Sequence, residues 1–413
     1  MIKFVGWLLT GVFLLSFYKV LRNFSVKNPL FWTFFVFFAG PNSLSHFLRT
    51  RPQTISLILL PLLFYFIIRK KPWPVLGLAA AISWAHLNFS WLPIAILTII
   101  LIVRLGIERS FEWKVAGATA LGVITGWFLR PDFLLAGKLL YIQLVKQIIE
   151  KQSGLPLLFG FENLPFSIPV FLSLFFVFLV IFSVAVWSLW KSFDRFDLDS
   201  RVAVISAMLI SVVFLIVSLV VARRAHDLMV LFGILAAAIV FSKIKIGDIG
   251  KTGLSVALAV AVLYSGSKAL INSSNNYPPD YLQESAKWLE DNSFSGDIVF
   301  NLHWSHFSPL FAWNNKNYYV GGLDPIFQYE YSPSLYWKFH YLSEDVVTKK
   351  TCGAPACTVE MLEDTYQVLK KDFGAKYIIL TKAQNPAVNQ FLSGDSRFVK
   401  TFENDSESVY LIK

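Results

Sequence analysis

From Ile2 to Leu270 the sequence is a succession of apolar runs broken by short polar turns, and that pattern limits the fold more than any motif does. A helix needs about 20 apolar residues to cross the hydrocarbon of a bilayer. In lipid, every backbone polar group must also be satisfied inside the protein, which favours helices. Ten candidate spans can be read: Ile2–Val20, Pro29–Gly40, Thr54–Ile68, Trp73–Ala85, Trp91–Gly106, Trp113–Leu129, Phe166–Trp190, Val202–Ala222, Leu228–Ser242 and Gly253–Leu270. The second and fourth are short and end near Pro41 and Asn88, as broken or tilted helices do. The opening run lacks a small-residue cleavage site and many spans follow it, so it reads as a membrane helix rather than a signal peptide.

Charge separates the chain into two parts. Residues 1–270 carry a net +15 and residues 271–413 a net −5, which together make the overall +10. Only 15% of residues are charged, against roughly a quarter in soluble domains. The positive excess sits in loops between spans, where Lys and Arg set orientation; it is not a nucleic-acid footprint. Arg69-Lys70-Lys71, Arg104/Arg109, Lys191/Arg195/Arg201 and Lys243/Lys245/Lys251 mark alternate loops and are expected on the cytoplasmic face. The other face then carries 42–53, 86–90, 130–165, 223–227 and the C-terminal part, and the N-terminus lies outside. That start hints at one further helix upstream.

Two segments break the pattern of spans. In 134–151 the leucines, isoleucines and Val145 fall mostly on one helical face with lysines, glutamines and Glu150 around the rest, which suits a helix lying in the outer interface. From residue 271 the apolar runs shorten and alternate: YLQESAKWLEDN and MLEDTYQVLKKDFG read as helices, the latter closed by a glycine stop. DIVFNL, NYYVGGL, AKYIILT and SVYLIK read as strands, the last at an edge. The expected class is thus a multi-pass α-helical membrane protein (1–270) carrying a soluble, extracytoplasmic α/β domain (271–413).

In a membrane chain, polar groups near span ends are the functional candidates. On the outer face the acids are Asp132, Glu150, Glu162 and Asp227, with His46, Arg49, Arg51, His86, Arg130, Arg223, Arg224 and His226 around them. Arg223-Arg224-Ala-His226-Asp227 is the densest group and forms a tight turn between two spans. Arginines outside run against the positive-inside bias, so they call for a ligand such as a lipid phosphate; the alternative is two arginines snorkelling to headgroups. Arg51-Pro52-Gln53 opens a helix with Pro in its first turn. Asp132 is either a helix cap or a catalytic acid. Glu162 precedes a span, where an acid is favourable near the N-terminus anyway. His86 interrupts an apolar run, as a hydrogen-bonded interior histidine or a ligand-facing one.

In the polar part, Cys352 and Cys357 flank Gly-Ala-Pro-Ala and read as a disulfide-closed loop in an oxidising compartment. His303-Trp-Ser-His306 lacks an obvious third metal ligand and reads as a binding loop. No residue is assigned as a metal ligand from the sequence, although a divalent metal is compatible with the chemistry expected below.

The pattern Tyr281…Lys287-Trp288-Leu289, Asp297-Ile-Val-Phe-Asn301, His303-Trp304, Tyr318-Tyr-Val-Gly-Gly-Leu-Asp324-Pro325 and Phe373-Gly-Ala-Lys-Tyr377 resembles the C-terminal periplasmic domain of large bacterial membrane proteins. Arg51-Pro-Gln53, Arg130-Pro-Asp132-Phe, Gly160-Phe-Glu162 and Arg223-Arg224 fall where such proteins carry short motifs. The likeness is to the GT-C class of polyprenyl-phosphate-sugar-dependent glycosyltransferases, which includes oligosaccharyltransferases and protein mannosyltransferases. The resemblance implies transfer of a sugar from a polyprenyl-phosphate carrier to an acceptor outside the cell membrane, with membrane lipids around the protein. It points to Asp132, Glu162 and Asp227 as catalytic acids, to Arg223, Arg224 and Arg51 as phosphate ligands, and to His86, His226 and His303 as further candidates. GT-C enzymes carry an acidic pair in a first outer loop, whereas this sequence has no acid before Glu108. The expectation is therefore of a GT-C-like chain without that loop, through truncation, a split gene or loss of activity. A non-catalytic scaffold or partner subunit is the competing reading, and a transporter the third.

Overall fold

The structure is a computed structural model describing residues 2–48, 51–157, 160–274, 277–278, 280–322, 324–346 and 349–413. The chain forms two compact units, one of Met1–Ile148 with Phe161–Asn275 and one of Ile149–Gly160 with Asn276–Lys413.

The first unit is helical. All ten apolar segments form helices, and among the described residues six are long and apolar enough to cross a membrane: Phe4–Asn23, Leu87–Ile107, Ile168–Arg195, Leu198–Val220, Arg223–Lys243 and Asp248–Asn272. The other four are Pro29–Phe38, Pro52–Ile68, Pro72–Ala85 and Trp113–Phe128, of 10, 17, 14 and 16 residues. At about 1.5 Å per residue, 16 residues cover only about 24 Å, short of a hydrocarbon core of about 30 Å. Proline in the first turn starts three of these four, since it lacks the N–H that the first turn leaves unused anyway.

Close packing follows from small residues. Trp113–Phe128 lies against Pro72–Ala85, and a Cβ at Gly122 or Gly126 would run into the backbone carbonyl of Leu76 or Ala80. This Gly-xxx-Gly spacing allows two backbones to approach. The helix His226–Lys243 is buried from His226 through Ser242. A helix that is apolar all round needs neighbours all round, so this element is the centre of the unit. Buried Arg104 ties the far end of Pro52–Ile68, donating to the Ile68 carbonyl at 2.5 Å and to both oxygens of Glu108 at 2.9 Å.

The segment expected to be helical at 134–151 forms Phe133–Tyr141, a π-helical turn Ile142–Lys146 and Gln147–Gln152. Leu134, Leu135, Tyr141, Val145 and Ile149 remain exposed.

The second unit is built on a sheet. Its strands are β1 (Ile298–Asn301), β2 (Tyr318–Tyr319), β3 (Lys350–Thr351), β4 (Glu363–Asp364), β5 (Tyr377–Thr381), β6 (Phe398–Glu403) and β7 (Glu407–Ile412). Five of them run in the order β2-β1-β5-β7-β6, and β3 pairs with β4 separately. β1 is parallel to β2 and β5, and β7 is antiparallel to β5 and β6. Side chains alternate between two cores: Phe300, Ile378, Leu380 and Tyr410 enter one, and Val299, Tyr377, Ile379 and Val409 the other. This is the period of two expected of a sheet covered on both faces.

Two expectations are corrected here. The last strand is interior rather than an edge, because β6 adds outside it. The helix expected from Met361 begins only at Thr365, because Glu363 and Asp364 pair with Lys350 and Thr351 instead. Its glycine stop is where the sequence places it, with Gly374 at φ 59°. Cys352 and Cys357 are bridged, with Cα atoms 6.1 Å apart.

Candidate functional site

The central helix carries His226 and Asp227 in its first turn. It is entered through a 3₁₀ turn, Arg223–Ala225, which is the tight turn expected between two spans. Two backbone bonds fix that entry: Arg223 N donates to Leu164 O at 2.9 Å, and Phe166 N to Ser218 O at 3.1 Å. The segment before the Ile168–Ser192 helix is thus laced to the arginine turn, which brings Glu162 to Arg224. The Ile168–Ser192 helix is kinked at Phe175, whose ring packs 5.3 Å from that of His226.

Glu162 bridges two arginines. Its Oε2 accepts from Arg51 Nη1 and its Oε1 from Arg224 Nη2, each at 2.6 Å. Arg51 sits at the N-cap of Pro52–Ile68, as the Arg-Pro-Gln motif suggests. The three side chains are 39%, 31% and 28% exposed for Arg51, Arg224 and Glu162, so they face a partly wet site. Burial pushes the Glu162 carboxyl up, but the Arg224 and Arg51 guanidiniums outweigh it and hold the group below the usual carboxylate range. Arg224 Nε is buried with no hydrogen-bond partner among the described residues. A donor left this way normally has a ligand or water to meet.

Asp227 is the second centre. Its Oδ2 accepts from Gln53 Nε2 at 2.7 Å and stands 3.0 Å from His46 Nδ1. An ionised carboxylate offers only lone pairs, so Nδ1 is the His46 nitrogen that donates to Asp227. The Nε2 of His46 makes no hydrogen bond among the described residues. The His46 side chain is 14% exposed while Asp227 is fully buried. His226 Nε2 lies 3.1 Å from Asp227 Oδ1, and its Nδ1 is 2.5 Å from the Arg223 carbonyl.

His46, His226 and Asp227 place three ligand atoms within 4.8 Å of one another. Two imidazoles and a carboxylate suit a first-row divalent cation, and these three residues would hold it. The sequence suggested no metal ligand, because His46 lies 181 residues from Asp227. Gln53 and His46 are the residues that sequence reasoning missed as site members; Gln53 sits in the flagged motif, but its Asp227 partner is 174 residues away.

Other expected residues go elsewhere. Asp132 occupies an N-cap position, yet its side chain makes no cap. It forms a two-pronged pair with Arg130 at 2.9 and 3.0 Å, which lowers its pKa. Arg223 parts from Arg224: its Nε donates to Pro165 O at 3.1 Å and its guanidinium lies over the Phe166 ring. His86 ends the Pro72–Ala85 helix with Nδ1 buried and unpartnered among the described residues, so it is not the hydrogen-bonded interior histidine. Burial, then Arg224 and Arg130, lower its pKa to about 4. Arg49 lies outside the described residues.

His303 belongs to the second unit and follows β1, its ring 5.1 Å from that of His306. His306 is held in turn by the Tyr281 hydroxyl, 3.0 Å from its Nε2.

No sequence-family model matches the chain, and no curated protein matches it in sequence. Among solved structures it is similar to ArnT from Cupriavidus metallidurans in the apo state, with a TM-score of 0.54 over 99% of this chain and 82% of that one. ArnT is a GT-C glycosyltransferase. The fold is like that of ArnT. At 12% identity the likeness is one of fold, and it agrees with the resemblance carried by the short motifs. The fold here gathers Arg51, Glu162 and the Arg224–Asp227 turn from three separate stretches of chain.

Proposed function

We propose that this protein is a GT-C-like glycosyltransferase that moves a sugar from a polyprenyl-phosphate carrier to an acceptor outside the cell membrane. The observation that carries the reading is Arg224: it is partly exposed, clamped through Glu162 to Arg51, and retains a buried donor without a partner among the described residues. Such a pair of cations matches the charge that develops on a departing phosphate. In the reaction the acceptor oxygen bonds to the anomeric carbon and the bond from that carbon to the phosphate oxygen breaks. The electron pair stays on the polyprenyl phosphate, facing Arg51 and Arg224. The acceptor's proton goes to His46 Nε2, while Asp227 and Gln53 hold the imidazole in the tautomer that receives it. Glu162 orients the two arginines. Were His46, His226 and Asp227 instead to hold a divalent cation, the cation would supply Lewis acidity and His46 would serve as its ligand rather than as the base.

The competing reading is a non-catalytic partner subunit. One feature favours it: both oxygens of Glu162 and of Asp132 are already held by arginines, and Asp227 is buried. Reconstituted protein and a radiolabelled polyprenyl-phosphate sugar separate the two. Arg224→Ala is expected to weaken carrier binding about 10- to 100-fold, the scale of a lost charge-assisted hydrogen bond of about 1.5–3 kcal/mol, and Arg224→Lys to recover only part. His46→Gln is expected to leave carrier binding intact and to slow transfer about 100-fold or more. Unchanged carrier affinity in Arg224→Ala would refute the phosphate role. Full transfer by His46→Gln would remove the histidine from the chemistry.

A further inference from the structure

A separate chamber in the helical unit has the make-up of an amphiphile site. It has a volume of about 470 Å³ and is lined by Lys27, Asn28, Trp32, Phe241, Lys245 and Lys251, with Ile246 and Leu254 beside them. Its residues come from the start of Pro29–Phe38, the end of His226–Lys243 and the start of Asp248–Ser274. Two features fix its shape. Trp32 and Phe241 stack with ring centroids 5.7 Å apart and planes 6° apart, and the Lys27 backbone N–H donates to Ser242 Oγ at 2.9 Å.

Two of the three lysines in this chamber are not spent on neighbours among the described residues. Nearby Lys243 is paired with Asp197 at 3.1 Å, and Lys251 with the exposed Asp248 at 2.8 Å. Lys27 and Lys245 form no ion pair among the described residues. The chamber thus combines two uncommitted ammonium groups at its rim with an aromatic floor and aliphatic walls. Lysine binds phosphate as a point charge, and basic pockets between membrane helices bind anionic lipid headgroups. A free phosphate would use the rim alone; a phospholipid uses the apolar wall as well.

We propose that this chamber binds one anionic phospholipid, its phosphate on Lys27 and Lys245 and an acyl chain along Trp32, Phe241, Ile246 and Leu254. The site lies apart from the Arg51–Glu162–Arg224 cluster and uses none of its residues.

The test is native mass spectrometry of the delipidated full chain titrated with phosphatidylglycerol or phosphatidylcholine. One phosphatidylglycerol is expected to bind at least tenfold more tightly than phosphatidylcholine. Lys27→Ala/Lys245→Ala is expected to abolish that preference, and Lys27→Arg/Lys245→Arg to keep it, with the lipid-free melting temperature checked for both. Equal binding of the two lipids, or a retained preference in the alanine pair at an unchanged melting temperature, would overturn the proposal. So would displacement of phosphatidylglycerol by inorganic phosphate at matched concentration, which would assign the rim to free phosphate. If the alanine pair melts early, the arginine pair decides: loss of the preference in a stable arginine variant also overturns it.

Discussion

Replacing Glu162 with Gln tests what the acid does between its two arginines. The side chain makes two contacts of 2.6 Å. A hydrogen bond to a charged group contributes about 1.5–3 kcal/mol when shielded. Here the partners are 39% and 31% exposed, so solvent screening lowers each contact to about 1 kcal/mol. Glutamine keeps one acceptor but turns an amine toward the other guanidinium, so Glu162→Gln is expected to destabilise the protein by about 1–2 kcal/mol. Affinity for a polyprenyl phosphate should move the other way. Removing one negative charge beside two cations raises the local potential, and about 1 kcal/mol of relief corresponds to about fivefold tighter binding. The measurements are reversible unfolding in mixed micelles and equilibrium binding of the carrier lipid on the same purified variant. A double-mutant cycle with Arg224→Ala should return a coupling of about 1 kcal/mol. Weaker carrier binding at unchanged stability would refute the reasoning that charge relief outweighs the loss of orientation at the two arginines.

Two further expectations follow. Burial, then neighbouring His303, lower the pKa of His306 to about 3 from an ordinary 6.5; the unfolded chain therefore takes up the proton first on acidification, so this contribution is complete above pH 6.5 and is lost as pH falls toward 3. His306→Gln, which can keep the Tyr281 hydrogen bond, should flatten the fall in unfolding free energy between pH 6.5 and roughly pH 4.5 by about 2–3 kcal/mol, and an unaltered pH slope would reject the histidine as its source. A reporter active only in the cytoplasm should be silent when fused after Lys413 and active after Lys245; the reverse pattern would overturn the proposed side of the candidate site.

Much of the fold was legible because its signals are local. Every apolar run from Ile2 to Leu270 forms a helix, and Tyr377–Thr381, read as a buried strand, is buried at all five positions. Two strand readings failed for local reasons too. β6 carries Lys400 and Glu403, which pair with each other at 3.1 Å, so its charge conceals an edge strand. β7 is an almost unbroken apolar run buried on both faces, the mark of an interior strand.

The site was legible in composition but not in pairing. Arg223 and Arg224 are adjacent in sequence and both were expected on phosphate, yet the backbone bond from Arg223 N to Leu164 O orients them differently. One guanidinium goes over Phe166 and the other to Glu162. Nothing in five residues of sequence encodes that division, because it depends on a loop some 60 positions earlier. The same holds for Asp227, whose partners His46 and Gln53 are separated from it by 181 and 174 residues. An acid at a helix start is by itself ordinary. What makes this one a candidate for chemistry is the imidazole it holds, whose outer nitrogen makes no bond among the described residues. Charge at a span end therefore marked where to look, and tertiary contacts assigned the roles. In the proposed function the base is therefore His46 and not one of the three acids.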